Sequence, residues 1–398
     1  MAIKRIPPHK LKYINDDATL GIDYDWEYIF KEYNKLGVPE GLYSPVHVPV
    51  TLVKYIVELS ERATGKTTNW LLVGLIMWQR YGTITQYIRQ SEEMIRPKVI
   101  NKLFDVIRGY GYIAAITGGE YDDAIYKARN WYLIRRDENG EIVATSTPVM
   151  YCLDLDEAAI YKSSYNAPLG DLIIFDEFVS KRYYPNEFVT FCDVVKTIIR
   201  KRHSPIIVML ANTIERYNTY FSELNIQEDI LQIKTGESII KYTDKGTGIY
   251  AEIIGAKDLT RAYQNELFFG FKNPRLSAIT GGDWAIDNYP HIDPEQERNV
   301  YNKNHYIRFN NYLVNLEFVR SKELGVHILA HKATKTYADS IIYVIDDIRS
   351  INERYRFGTS SVDKVIWHLY AKNKWYFANN EVGNVVKSYV AGAKAIVI

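Results

Sequence analysis

Cysteines, internal repeats and long apolar runs are scarce or missing in this sequence. Two cysteines, Cys152 and Cys192, in 398 residues exclude a disulfide framework and any cysteine-rich zinc site. The longest uninterrupted apolar stretch, Trp70 to Trp78, is too short to span a bilayer, so no membrane partner is expected. The N-terminus is basic (Lys4, Arg5, Lys10, Lys12) but has no apolar core behind it, and does not read as a signal peptide. Net charge is also nearly absent, with 49 basic residues against 48 acidic ones and a formal charge of +1. A protein that grips nucleic acid permanently is far more basic, because phosphate neutralisation supplies most of that affinity. Any nucleic-acid contact is therefore expected to be local or transient. Together these absences point to a soluble protein of a reducing compartment.

What is present is ordinary globular material, 47% hydrophobic and 24% charged, which rules out wholesale disorder. The length suits two domains at about 100–200 residues each. The 33 tyrosines are scattered and read mainly as packing. Residues 1–45 form an extension with one amphipathic helix, in which Trp26, Ile29, Phe30, Tyr33 and Leu36 share a face, ended by Gly37 and Pro39. From about residue 50 strands and helices alternate. Leu52–Leu59, Thr83–Arg89, Leu172–Phe175 and Ile206–Leu210 read as strands, and Lys66–Gln79, a segment opened by Pro97, and Pro185–Arg202 as helices. Trp131–Arg136 and Ile142–Tyr151 flank Asp137-Glu138-Asn139-Gly140 as a hairpin. That alternation predicts an α/β fold with a parallel sheet covered on both faces. Glycines at 246, 248, 255, 281 and 282 suggest a linker or lid over 246–303. Three strands (His305–Val319, Val326–His331, Ser340–Ile345) and two helices around a short strand at Trp375–Phe377 then predict a second α/β domain over 304–398.

The chemistry begins at Ser60-Glu61-Arg62-Ala63-Thr64-Gly65-Lys66-Thr67-Thr68, a G-x-x-x-x-G-K-[ST] phosphate loop with Ser60 in place of the first glycine. Between a strand and a helix, such a loop turns backbone N–H groups inward as an anion cradle. Gly65 admits close approach of phosphate, Lys66 reaches the β- and γ-phosphates, and the Thr67 hydroxyl can hold Mg²⁺. Further on, Leu172-Ile173-Ile174-Phe175 ends in Asp176-Glu177, at the strand end where ligands bind in open parallel sheets. Adjacent acids there are costly unless a cation or a proton needs them. Asp176 is the expected Mg²⁺ ligand and Glu177 the base that activates water. A third strand ends in Asn212, placed to bond the γ-phosphate or the attacking water. Arg200, in the run Arg200-Lys201-Arg202-His203, reads either as a cation at a helix C-terminus or as an arginine finger for a neighbouring subunit's nucleotide. Arg62 is a second candidate for transition-state charge, acting in cis. Tyr43 and His47 are candidates for base contacts.

The order Ser60–Thr67, Leu172–Glu177, Arg200, Asn212 resembles the viral DNA-packaging ATPases, the large-terminase motors, and among them the DNA-encapsidation ATPases of φ29-like tailed phages. The resemblance is good over residues 50–245, weakens over 246–303 and returns faintly over 305–390. It implies a P-loop ATPase domain of the additional-strand (ASCE) type over 46–245. It also implies a C-terminal ribonuclease-H-like domain over 304–398. It further implies ATP and Mg²⁺ as cofactors, and ATP-driven translocation of double-stranded DNA into a viral prohead. The partners implied are further copies of the chain in a ring, expected to be a pentamer, the prohead portal, and in φ29-like phages a structural packaging RNA, all in the host cytoplasm. The Arg matching Arg200 acts in trans in that family. The basic residues Lys372, Lys374, Lys387 and Lys394 are one place such an RNA could dock. The nuclease acids of active terminases are not matched: the corresponding positions fall near Asn310-Asn311 and Asn379-Asn380, and amides do not neutralise a metal pair. Asp346 and Asp347 alone do not rebuild the cluster, so a vestigial nuclease is expected. The rival readings are another P-loop translocase or helicase, a terminase with a working nuclease, and a nucleotide-binding relic without turnover.

Overall fold

The computed structural model describes residues 21–60, 64–164, 169–179, 187–212, 218–255, 289–292, 299–309, 312–345, 348–354 and 360–395. Helix α1 (Trp26–Lys35) is capped by the Asp25 carboxylate, which accepts from Tyr28 N at 2.9 Å, and buries Ile29 and Tyr33. Strand β1 (Tyr55–Ser60) leads through the loop into α2 (Lys66–Tyr81), whose residues from Asn69 to Trp78 are all buried. Such an apolar helix is stable only when walled in on every side. Its Gly74 permits that, because a Cβ there would stand 2.3 Å from Thr85 Oγ1 on the next strand. That strand is β2 (Thr85–Arg89), followed by β3 (Asp123–Lys127), β4 (Asn130–Arg136), β5 (Ile142–Asp154), β6 (Leu172–Asp176), helix α3 (Glu187–Ile199), β7 (Ile206–Asn212), β8 (Ser238–Tyr242) and β9 (Gly248–Ile254).

These nine strands form one sheet in the order β3-β4-β5-β2-β6-β7-β1-β9-β8. The six central strands, β5 through β9 in that order, run parallel, and antiparallel strands flank them at both edges. Strand β7 lies between β1 and β6 and pairs with both, which is the additional-strand arrangement. One face packs against α1 and α2 through Ile29, Trp70, Leu72 and Ile174; the other packs against α3 through Phe175, Phe191 and Val194. Both faces being covered explains why β6 and β7 are continuous apolar runs.

The second sheet has the order β14-β13-β10-β11-β12-β15. Its strands are β10 (Asn299–Phe309), β11 (Tyr312–Ser321), β12 (Gly325–Lys332), β13 (Ile341–Tyr343), β14 (Glu353–Arg354) and β15 (Trp375–Phe377). β10, β11 and β12 form an antiparallel meander, with β13 parallel to β10. Helices α4 (Ser361–Ala371) and α5 (Asn380–Ala395) bury Ile366, Val382, Val386 and Tyr389 against it.

Several sequence expectations are corrected. The segment opened by Pro97 is not one helix but three short turns, Pro97–Ile100, Asn101–Phe104 and Asp105–Gly109. The stretch His305–Val319 is two strands of a hairpin. The glycines near 246 make a tight turn, with Gly246 at φ +82°, between β8 and β9, and β9 pairs with β1. The first sheet therefore runs to Ile254, past the expected boundary at 245. Most of 246–303 otherwise lies outside the described residues. Among the described residues no helix is long and apolar enough to cross a membrane.

Candidate active site

The parallel run of β1, β7 and β6 brings the ends of three strands to one edge. Ser60 stands beside Asn212 in register, and Asp176 beside Leu210. At that edge a cavity of about 500 Å³ is lined by Thr64, Gly65, Lys66, Thr67, Thr68, Asp176, Glu177, Ala211 and Asn212. Gly65 opens α2 in the left-handed region at φ +87°, and a Cβ there would meet the Asn69 amide at 3.0 Å and Leu42 at 3.6 Å. The first turn of α2 thus presents its N-terminal end, which favours anions, to the cavity.

Lys66 is 7% exposed, and its ammonium donates to Ser60 Oγ, which in turn lies 2.7 Å from Thr64 Oγ1. Burial pulls the Lys66 pKa down to about 8, against the opposing pull of Asp176, Glu58 and Glu177. Asp176 is fully engaged. Its Oδ1 accepts from Thr67 Oγ1 at 3.2 Å, and its Oδ2 accepts from Tyr87 at 2.7 Å and from Arg89 Nη1 at 3.3 Å. The other arm of the Arg89 fork, Nη2, donates to Glu177 Oε2 at 2.5 Å. Glu177 follows the strand at φ +54°, a left-handed backbone uncommon for a residue with a side chain, and that turn directs its half-exposed carboxylate to the cavity.

Beneath the loop, Tyr43 N donates to Thr64 O at 2.9 Å and Asn69 Nδ2 donates to Tyr43 O at 2.6 Å. The Tyr43 hydroxyl and Trp70 Nε1, the latter at 2.8 Å, both donate to Glu58 Oε1. Burial raises the Glu58 pKa to about 8, so this carboxyl is mostly neutral at pH 7. His47 bonds Glu252 at 2.8 Å. Tyr43 and His47, expected near a base, are not among the residues that line this cavity; Tyr43 braces the loop through its backbone bonds to Thr64 and Asn69.

No family model and no curated protein matches the chain. Two solved structures cover nearly all of it. One is the Phi-28 gp11 DNA packaging motor, at 17% identity over 90% of this chain and 99% of that chain, with a TM-score of 0.55. The other is the bacteriophage Phi-29 viral genome packaging motor assembly, at 15% identity over 87% and 98%, with a TM-score of 0.53. The chain has the fold of these phage packaging motors.

On the packaging-motor fold, the structure gathers Ser60, Thr64, Gly65, Lys66, Thr67, Thr68, Asp176, Glu177 and Asn212 at one edge. Glu61, Arg62 and Ala63 lie outside the described residues. Arg200 is at the opposite edge. Helix α3 returns from the cavity edge to the start of β7, and two residues beyond Arg200 the Arg202 guanidinium pairs at 2.6 Å with Asp171, beside the start of β6. From Asp171 to Asp176 is about 17 Å of strand at roughly 3.3 Å per residue, beyond the reach of the Arg200 side chain toward its own cavity. Sequence reading missed Arg89 and Tyr87. Their place beside the acid pair follows only from the pairing of β2 with β6, which no spacing in the sequence announces.

Proposed function

We propose that the chain is a Mg²⁺-dependent ATPase that drives double-stranded DNA into a viral prohead as a ring of identical subunits. The observation that carries this is the convergence of the loop and the acid pair, with Thr67 Oγ1 3.2 Å from Asp176 Oδ1, on a fold shared with packaging motors. The neighbour structures are named as DNA and genome packaging motors, which supports the DNA and prohead portal partners proposed for this chain.

The donor set fits Mg²⁺: a hydroxyl and a carboxylate oxygen at hydrogen-bond separation are hard ligands that leave room for waters and phosphate oxygens. Bound there, the ion would neutralise charge building up on the phosphates. The rest belongs to the chain. Lys66 leaves Ser60 for the phosphates and is held protonated by them. The α2 N-terminus receives the phosphate oxygens. Glu177 releases Arg89 and takes a proton from the attacking water. Asn212, beside Ser60, bonds the water or the γ-phosphate. Arg200 of the next subunit supplies positive charge as the phosphoryl group departs. The last step is supported by the distance between Arg200 and its own cavity. Such fingers contribute about 10³–10⁵ in rate, so hydrolysis is gated by the neighbour's position. A pentamer at the portal vertex, in the host cytoplasm, with a packaging RNA as adaptor, completes the proposal. Lys372 and Lys387 are exposed while Lys374 is half-buried and donates to Leu324 O at 3.1 Å, which favours Lys372 and Lys387 as the RNA contacts.

The C-terminal domain is proposed to be a ribonuclease-H-like fold without nuclease activity. The antiparallel meander with β13 parallel to its first strand supports the fold. The amides at the late position have structural partners: Asn379 Oδ1 accepts from Val382 N at 2.9 Å, capping α5, and Asn380 Oδ1 accepts from Tyr289 N at 3.3 Å. Asn310, Asn311, Asp346 and Asp347 lie outside the described residues.

Phosphate release, measured with and without double-stranded DNA and purified proheads, tests the proposal. Turnover that rises only when both are present is expected. Glu177→Gln should keep ATP binding and lose turnover by roughly 10²–10⁴. Wild-type protein that binds ATP but never releases phosphate under any of these conditions would reduce the chain to an assembly module.

A further inference from the structure

A second buried network lies at the far edge of the first sheet, away from the cavity. Asp171 is 1% exposed and precedes β6. Its Oδ1 accepts from Arg202 Nε at 2.6 Å, and its Oδ2 accepts from Tyr24 at 3.0 Å and from Ser204 Oγ. The Arg202 guanidinium also reaches back to the last turn of α3, where Nη2 donates to Ile198 O at 2.9 Å. The Asp171 carbonyl accepts from Ile206 N at 2.9 Å, where β7 begins. The turn from α3 to β7 is therefore fastened at the helix end, at the β7 start and at the base of β6. Arg200 stands on that turn, exposed, with its backbone at φ +48°. Of the four basic residues in the run, Arg202 is the one whose side chain is directed inward, at 6% exposure.

We propose that Asp171 and Arg202 are positioning residues that hold Arg200 in the attitude needed by the neighbouring subunit's nucleotide. Strand β6 then serves two sites: its far end carries Asp176 and Glu177 for its own nucleotide, and its near end anchors the arginine delivered to the next. The proposal rests on the trans role of Arg200 given above. The physical reason is that a long exposed side chain finds a partner across a subunit boundary only if its backbone is fixed, and misplacement by about 1 Å costs on the order of 100-fold in rate. The buried Asp171–Arg202 pair supplies that fixation at the base of the turn.

The test uses ATPase turnover of the full chain assembled on proheads with DNA. Asp171→Asn alone is expected to lower kcat roughly 10- to 100-fold with KM for ATP unchanged, because its own loop is untouched. Mixed with Lys66→Ala, whose site is dead but whose Arg200 is well held, the Asp171→Asn subunits should regain turnover. Mixed with Arg200→Ala they should not, since neither partner delivers a usable arginine. Ser204→Ala, which removes one bond to Asp171, gives the same pattern in weaker form and replaces Asp171→Asn if that variant does not fold. Recovery in the mixture of Asp171→Asn with Arg200→Ala overturns the positioning role, as does full activity of Asp171→Asn and Ser204→Ala alone. The trans reading is checked separately: if Arg200→Ala mixed with Lys66→Ala shows no recovery, that reading fails, whatever the Asp171 variants do.

Discussion

Replacing Arg89 with lysine probes how Glu177, the proposed base, is held. The Arg89 fork spans both acids, with Nη2 2.5 Å from Glu177 and Nη1 3.3 Å from Asp176. Lysine keeps a positive charge beside the buried Asp176 but cannot bridge two carboxylates as a planar fork does. The bond that lysine forfeits is the one to Glu177, whose side chain is 49% exposed, so solvent screening limits it to about 1 kcal/mol. One kcal/mol is a factor of about five in the ratio of freed to clamped Glu177. Arg89→Lys should therefore raise the ATPase rate in the absence of DNA and proheads by about fivefold. The fully stimulated rate should change little, and the stimulation ratio should shrink by the same factor. Steady-state phosphate release with and without DNA and proheads reads both quantities. An unchanged basal rate with stimulation intact would refute the idea that Arg89 restrains Glu177. A basal rate that collapses would assign Arg89 to holding Asp176 instead.

Three further outcomes are expected. Because burial lowers the Lys66 pKa to about 8 and phosphates beside it would raise it, ATP binding at the proposed site takes up a proton above that pH. ATP affinity should be flat below about pH 7 and fall by up to roughly tenfold per unit above 8; a Kd independent of pH from 7 to 9 contradicts this. Gly65→Ala places a Cβ at φ +87° against the Asn69 amide, and thermal denaturation should show a loss of at least about 1–2 kcal/mol together with weakened ATP binding. Asn379→Ala removes the α5 cap and should cost about 1 kcal/mol of stability in chemical denaturation while leaving ATPase turnover at the wild-type rate.

The parts of the site legible in the sequence are those where chemistry and local folding demand the same residues. Gly65-Lys66-Thr67 must follow a strand and open a helix, and an apolar run that ends in Asp176-Glu177 has few other uses. The central strands were legible because burial on both faces leaves an unbroken apolar signal, as in Leu172–Phe175. Arg89 was not legible, since a lone arginine at a strand end carries no spacing rule, and its role appears only when β2 is laid beside β6. The extent of the first sheet was hidden for a related reason. β9 reaches its partner β1 across nearly two hundred residues, and the glycine turn that precedes it has the composition of a linker. The hairpin hidden in His305–Val319 escaped because its reversal falls between two polar-aromatic stretches with no glycine or proline to mark it. Arg200 and Arg202, two residues apart in one basic run, could not be told apart without knowing that Asp171 claims the second.

Helix α2 has one further consequence. From Asn69 to Trp78 it touches protein on every side, and its first turn forms the floor of the cavity. In the proposed ATPase, a nucleotide seated on Lys66 and Thr67 would press on a helix packed on all sides, an anvil rather than a lever. Displacement during the proposed cycle would then originate in what lines the cavity opposite that helix, the Glu177 carboxylate and the Asn212 amide, and in the surface a neighbouring copy would offer.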